Sequence, residues 1–134
     1  MQSINSIKGK GRRLTKQRKL VYETLSLFDK PATVQDIYRA LNKNHPSVNL
    51  TSVYRTLTLL TQIGMIHEVE FGEGKKRYEL VDGTHHHHLI CNNCGSIEDV
   101  LLNEDNFINK IKIKSHFKIE KHSLEFFGLC ARCQ

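Results

Sequence analysis

Two cysteine pairs, Cys91/Cys94 and Cys130/Cys133, constrain this 134-residue chain more than any other feature. Each has the form C-x-x-C, which presents two thiolates from one tight turn. Four thiolates at about 2.3 Å satisfy the tetrahedral preference of zinc and leave no position for a substrate. Such a site is structural. The 35 residues between Cys94 and Cys130 exceed a compact zinc ribbon. The metal would therefore staple the first strand of a C-terminal unit to the end of the chain. Structural zinc is worth on the order of 10 kcal/mol in small peptides, ample for a unit of this size. A thioredoxin-like redox pair or two disulfides are the alternatives, and neither accounts for two pairs with histidines beside them.

Those histidines, His85, His86, His87 and His88, run directly into Leu89-Ile90-Cys91. Side chains alternate along a strand, so His85 and His87 point one way and His86 and His88 the other. Each H-x-H pair offers two imidazoles to a metal and needs further donors, for which Glu79, Asp99, His67, His116, His122, Glu104 and Asp105 are available. The run is internal and leads into an apolar stretch, unlike an expression tag. A solvated histidine patch is the remaining alternative.

Charge is uneven. Lys8, Lys10, Arg12, Arg13, Lys16, Arg18 and Lys19 all precede the first acid, Glu23, so the first 22 residues carry +7 and the remainder nets −1. A basic arm on a near-neutral body points to a polyanion partner, held by ionic contacts that weaken as salt rises; a merely solubilising tail is the bland reading. No apolar run approaches the roughly 20 residues of a membrane span. The N-terminus lacks the apolar core of a secretory signal. A cytoplasmic protein without a membrane partner is expected.

Apolar spacing and capping residues predict three helices in series: Thr15 to about Phe28, a second capped by Thr33 with Asp36 in its first turn, and a third from about Thr51 to Ile63, stopped by Gly64. On the third, Val53, Leu57 and Leu60 share one face, and Thr51, Tyr54, Arg55 and Thr58 lie on or near the other. Strands over 65–71 and 75–80 flank Gly72-Glu73-Gly74. Three helices and a hairpin make a winged helix-turn-helix, in which the outward face of the third helix would read the major groove while basic neighbours hold phosphates. A protein-interaction module is the alternative. After a linker at 81–84, a small α+β unit is expected, with strands around 87–90, 97–101 and 117–127 and a helix over about 103–116. The fold class is thus α+β, with residues 1–80 as arm and DNA-binding domain and 85–134 as a zinc-stabilised second domain.

With TSVYRTL on the third helix, HHHHLICNNCG, and HSLEFFGLCARC at the end, residues 12 to 134 closely resemble the ferric uptake regulator family of metal-dependent bacterial repressors. The resemblance implies a homodimer that binds a double-stranded operator, with a winged helix, an α/β dimerisation domain and metal at their junction. By position, it implies structural zinc at Cys91, Cys94, Cys130 and Cys133. Tyr54 and Arg55 match recognition-helix contacts and Arg13 a minor-groove contact; Lys16, Arg18, Thr51 and Ser52 complete the expected DNA-binding set. Glu79, His86, His88 and Asp99 match a regulatory hinge site, and His85, His87 and His122 a further site completed by an acid, Glu104 or Asp105.

One position departs from the family pattern. Iron- and peroxide-sensing members usually donate a hinge histidine where this chain has Pro31, which cannot ligate. His67 aligns with a ligand position of zinc-sensing members, though the cysteine many of those supply near Leu80 or Val81 is absent. The implied hinge set is therefore a hybrid of His67, Glu79, His86 and His88, with or without Asp99. All-N/O sites of this kind take zinc, iron(II) or manganese. A zinc hydrolase using the histidine pairs and a DNA-free zinc adaptor are the rival functions. The first lacks an H-E-x-x-H signature, and both leave the basic arm and winged helix without a role.

Overall fold

The computed structural model describes residues 15–81 and 85–134. Arg13 with the rest of the arm before Thr15, and linker positions 82–84, lie outside the described residues. The chain divides into two compact units, the second being His85–Gln134.

The first unit opens with α1 (Lys16–Leu25), capped by Thr15, whose hydroxyl accepts from the Arg18 amide at 3.2 Å. The helix stops three residues before Phe28. There Leu27 N donates to Thr24 O and Phe28 N to Leu25 O, both 3.1 Å, turn bonds that tighten the chain out of helical register. Next come β1 (Ala32–Thr33), which sequence reasoning did not foresee, and α2 (Val34–Asn42). Thr33 and Asp36 form a reciprocal capping box, with Asp36 N to Thr33 Oγ1 and Thr33 N to Asp36 Oδ2 both 3.1 Å. Helix α3 (Leu50–Gln62) starts one residue earlier than its apolar pattern predicts, because Asn49 caps it through Ser52 N at 2.8 Å. Val53, Leu57 and Leu60 are fully buried, with Thr56 and Leu59 beside them.

Strands β2 (Ile66–Glu70) and β3 (Lys76–Leu80) pair antiparallel, and β1 adds to the outer side of β3, giving the order β1-β3-β2. The turn between β2 and β3 reverses through Gly72 and Gly74, both at positive φ where other residues are strained. One core, built from Val21, Leu25, Ile37, Leu41, Val53, Leu57, Leu60, Met65 and Ile66, serves the three helices and this sheet.

Arg77 ties the hairpin to the segment before α2. Its guanidinium grips both Glu73 carboxylate oxygens at 3.0 and 3.1 Å and donates to Pro31 O at 3.2 Å. That grip holds the Glu73 carboxyl below its usual range, against a smaller opposing effect of burial. We predict that Arg77→Ala costs about 1 kcal/mol in urea unfolding, the worth of a half-exposed bidentate pair, and that Glu73→Gln costs less. Equal midpoints for wild type and Arg77→Ala would refute the tie.

In the second unit β4 (His87–Cys91) lies between β5 (Ile97–Val100), antiparallel to it, and β6 (Glu125–Gly128), parallel to it. A parallel neighbour requires a crossover, and α4 (Asp105–Lys114) lies in that connection. The strand expected from Phe117 is confined to Glu125–Gly128, since pairing begins only where Glu125 meets His88; residues 117–124 form neither helix nor strand. Only His87, His88, Cys91 and Ile97 are buried in this unit, and α4 buries none of its residues. Fifty residues so arranged have almost no hydrophobic core of their own.

Candidate metal centres and nucleic-acid interface

Parallel pairing of β4 with β6 brings the end of the chain beside the first cysteine turn. Asn92 N donates to Gly128 O at 2.8 Å, and Cys130 N points at Cys91 Sγ at 3.4 Å. The first turn closes through Gly95 N to Cys91 O at 3.0 Å, and Gly95 takes a φ of 76°. The second closes through Cys133 N to Cys130 O, also 3.0 Å. All four sulfurs lie within 4.8 Å of one another, and no cysteine is in a disulfide. The Cys94–Cys130 separation of 3.7 Å is close to the edge, about 3.8 Å, of a tetrahedron with 2.3 Å zinc–sulfur bonds.

The chemistry of the donors fits a cation as well. Backbone N–H groups of Cys130 and Cys94 lower the Cys91 thiol to about 6, against the opposing effect of burial. Hydrogen bonding from Cys133 and the Arg132 backbone lowers Cys130. Cys133 is pushed up to about 11: hydrogen bonding with Asn93 favours its thiolate, but hydrogen bonding of its thiol to Cys130, burial, and hydrogen bonding to Cys91 and Cys94 outweigh it. Four thiols this close cannot all ionise without a positive charge among them. A divalent cation supplies it.

The four histidines, of which His87 and His88 open β4 and His85 and His86 precede it, separate by parity. His85, His87, His122 and Glu104 form a second group with ligand atoms within 4.8 Å of one another. Glu104 Oε2 lies 3.1 Å from His85 Nε2 and 2.8 Å from His122 Nε2; the two imidazole nitrogens are 3.1 Å apart, and His87 contacts the other carboxylate oxygen. Burial raises the Glu104 carboxyl, yet hydrogen bonds from His87 and His122 leave it lowered overall. Such a cluster of nitrogens and oxygen suits a borderline or hard divalent ion. Of the two acids considered, Glu104 joins this group and Asp105 does not, because Asp105 turns into the first turn of α4.

On the other face, the His86 and His88 rings are 5.0 Å apart, edge to face. His88 Nε2 lies 3.6 Å from Asp99 Oδ1, its register partner on β5. In the first unit His67 and Glu79 are register partners across β2 and β3, so their side chains leave the sheet on the same face. His116 joins neither group in the second unit. On α3, Thr51, Tyr54, Arg55 and Thr58 are exposed, with Ser52 half-buried; on α1, Lys16 is exposed and Arg18 half-buried.

No helix among the described residues is long and apolar enough to cross a membrane. A closed thiolate site, separate nitrogen–oxygen donors and a helical unit with a cationic outer face belong to a metal-responsive transcriptional regulator, not an enzyme. The Ferric uptake regulator family model matches residues 9–127, and the chain belongs to that family. It is 35% identical over 129 residues to the ferric uptake regulation protein of Campylobacter jejuni, covering 92% of this chain and 80% of the relative. It is 30% identical over 135 residues to the peroxide-responsive repressor PerR of Staphylococcus aureus, covering 99% and 90%. The Helicobacter pylori ferric uptake regulator, described as having three functional metal binding sites, superposes with a TM-score of 0.82 at 29% identity, over 96% of this chain and 86% of that one. Membership removes the hydrolase reading.

Proposed function

We propose that the chain is a homodimeric repressor of metal-uptake genes, whose first unit is a winged helix-turn-helix and whose second is a dimerisation domain. The observation that carries this reading is the segment of residues 85–91, which runs into β4, feeds one histidine pair to the His85/His87/His122/Glu104 group, turns the other pair the opposite way and ends in the thiolate site. In this reading structural zinc is held by Cys91, Cys94, Cys130 and Cys133. The regulatory ion, zinc or iron(II) with manganese also compatible, is held by His86 and His88 with Asp99, together with His67 and Glu79 from the first unit. The facing positions of His67 and Glu79 on β2 and β3 support His67 in the place that Pro31 vacates. Ligands drawn from two units meet best in one arrangement of those units, so binding shifts the equilibrium toward it.

Dimerisation is supported by what the second unit leaves uncovered. Phe107, Phe117, Phe126, Phe127 and Leu129 are each at least 44% exposed, large apolar side chains of the kind that a subunit interface covers. On DNA, Tyr54 and Arg55 would contact base edges or phosphates from α3, Thr51 and Ser52 would flank them, Arg13 would reach the minor groove, and Lys16 and Arg18 would hold the backbone. The regulator acts in the cytoplasm, where its operator is.

A gel shift on the DNA upstream of the protein's own operon, with and without zinc, iron(II) or manganese, tests this reading. Wild type should bind only with metal. Arg55→Ala should weaken that complex by about 1–3 kcal/mol, or roughly ten- to a hundredfold. Affinity independent of both metal and salt would overturn the reading.

A further inference from the structure

The cations of the β2–β3 hairpin, Lys75, Lys76 and Arg77, each face a carboxylate of the same hairpin. Glu73 lies 3.5 Å from Lys75 and 3.0 Å from Arg77, and Glu68 lies 3.2 Å from Lys76. Lys76 is also the register partner of Glu70, so two acids flank it across the strands. Ile66, Glu68 and Glu70 alternate along β2, opposite Leu80, Tyr78 and Lys76 on β3, so all six share one face of the hairpin. Ile66 and Tyr78 are buried in the core that also takes Val53, Leu57 and Leu60 of α3. That face therefore packs on α3 at its inner end and carries Glu68, Glu70 and Lys76, all exposed, toward its tip. Burial raises the Tyr78 hydroxyl above its usual range, and Glu68 and Tyr54 of α3 add to the rise against the opposing charge of Lys76. One hydroxyl thus has both the hairpin's ion pair and an exposed side chain of α3 as neighbours.

We propose that Glu68, with Glu70, is a specificity determinant for DNA: it cancels the attraction of Lys76 for phosphate, so that the hairpin beside α3 adds no sequence-independent affinity. The inference rests on the DNA-binding reading above. In that reading α3 lies in the major groove, which brings the neighbouring hairpin to the phosphates at the groove's edge. A phosphate oxygen bonded to Lys76 sits about 3 Å from the ammonium and, on the side away from Glu68, about 6 Å from that carboxylate. Coulomb energy falls as the inverse of distance, so a carboxylate twice as far away removes half of the attraction, and a second one removes most of the rest. Exposed ion pairs add little to stability. Their strength is immaterial here, because both acids stay beside Lys76 whether or not the pair is closed. What they control is the number of counterions that the hairpin releases from DNA. Affinity is then left to the side chains that read base edges and to the basic arm, which widens the gap between operator and random sequence.

The test uses full-length protein saturated in turn with zinc, iron(II) and manganese. Two duplexes of equal length, one from upstream of the protein's own operon and one of random sequence, are titrated over a range of salt. In Glu68→Gln/Glu70→Gln, affinity for the random duplex should rise roughly three- to tenfold at low salt, and the slope of log affinity against log salt should steepen by about 1 for each hairpin that meets a phosphate. The ratio of operator to random affinity should fall. Adding Lys76→Gln to that variant should return the slope to that of wild type, and Lys76→Gln alone should leave it unchanged. A slope that falls by about 1 in Lys76→Gln alone would show that Lys76 already holds a phosphate, and would overturn the proposal. So would wild-type values in Glu68→Gln/Glu70→Gln. An equal rise in the control Glu98→Gln/Glu120→Gln, whose exposed acids lie in the second unit, would trace the effect to net charge and also refute it. Failure of wild type to bind either duplex with any of the three metals, by contrast, would overturn the DNA-binding reading and this inference together.

Discussion

Replacing Cys91 by serine should remove one zinc per chain and unfold the second unit. Two observations set the size of the effect. Only four residues of that unit are buried, so area burial supplies little. The thiolate site joins β4 to the chain end through Cys91, Cys94, Cys130 and Cys133, where distant parts of the unit meet tightly. Binding worth on the order of 10 kcal/mol is comparable with the whole net stability of an ordinary domain, about 5–15 kcal/mol. Metal analysis should show the loss, and sedimentation should show monomer or aggregate in place of dimer. Unchanged zinc content and dimer mass would overturn the assignment.

The double substitution His86→Ala/His88→Ala should act differently. The thiolate site and the His85/His87/His122/Glu104 group use other residues and should survive, so on the proposed function the dimer and its structural zinc should persist. Coupling between an effector site and a ligand site is typically about 5- to 150-fold in affinity. The metal-dependent gain in operator binding should therefore collapse to near unity. Titration of operator binding against zinc, iron(II) and manganese measures it, with circular dichroism as a control because His88 is buried beside Asp99. A double mutant that still requires metal, and binds as wild type does, would remove His86 and His88 from the switch.

Much of this architecture is readable from local signals. Helix α2 announces itself through Thr33 and Asp36, whose capping box needs only a spacing of three. The buried face of α3 follows from the positions of Val53, Leu57 and Leu60. Parity along β4 separates the histidines because the period of a strand is two. What could not be read depends on distant partners. Strand β1 is two residues long and exists because β3 offers Tyr78 and Arg77 to pair with. β6 starts at Glu125 because its parallel pairing with β4 begins at His88. The choice between Glu104 and Asp105 turned on where α4 begins, a boundary that residue spacing leaves open by one or two positions. Thr56 and Leu59 are buried because α3 is covered on more than one side.

The histidine run also carries a hazard of phase. Sliding β4 by one residue against its neighbours would carry His86 and His88 to the face of Glu104 and His122, and His85 and His87 to that of Asp99. Each donor group would then still find imidazoles. In most strands such a slip is punished because apolar and polar side chains change places; here four identical residues in succession spare the histidine positions that penalty, and only Leu89, Ile90 and Cys91 behind them change places. Correct phasing must come from the end of the strand. Cys91 stands opposite Gly128 and within one closed set of thiols, a position that tolerates no displacement by a residue. On the proposed function, the cysteine site would act as the index mark that tells each histidine which ion to serve.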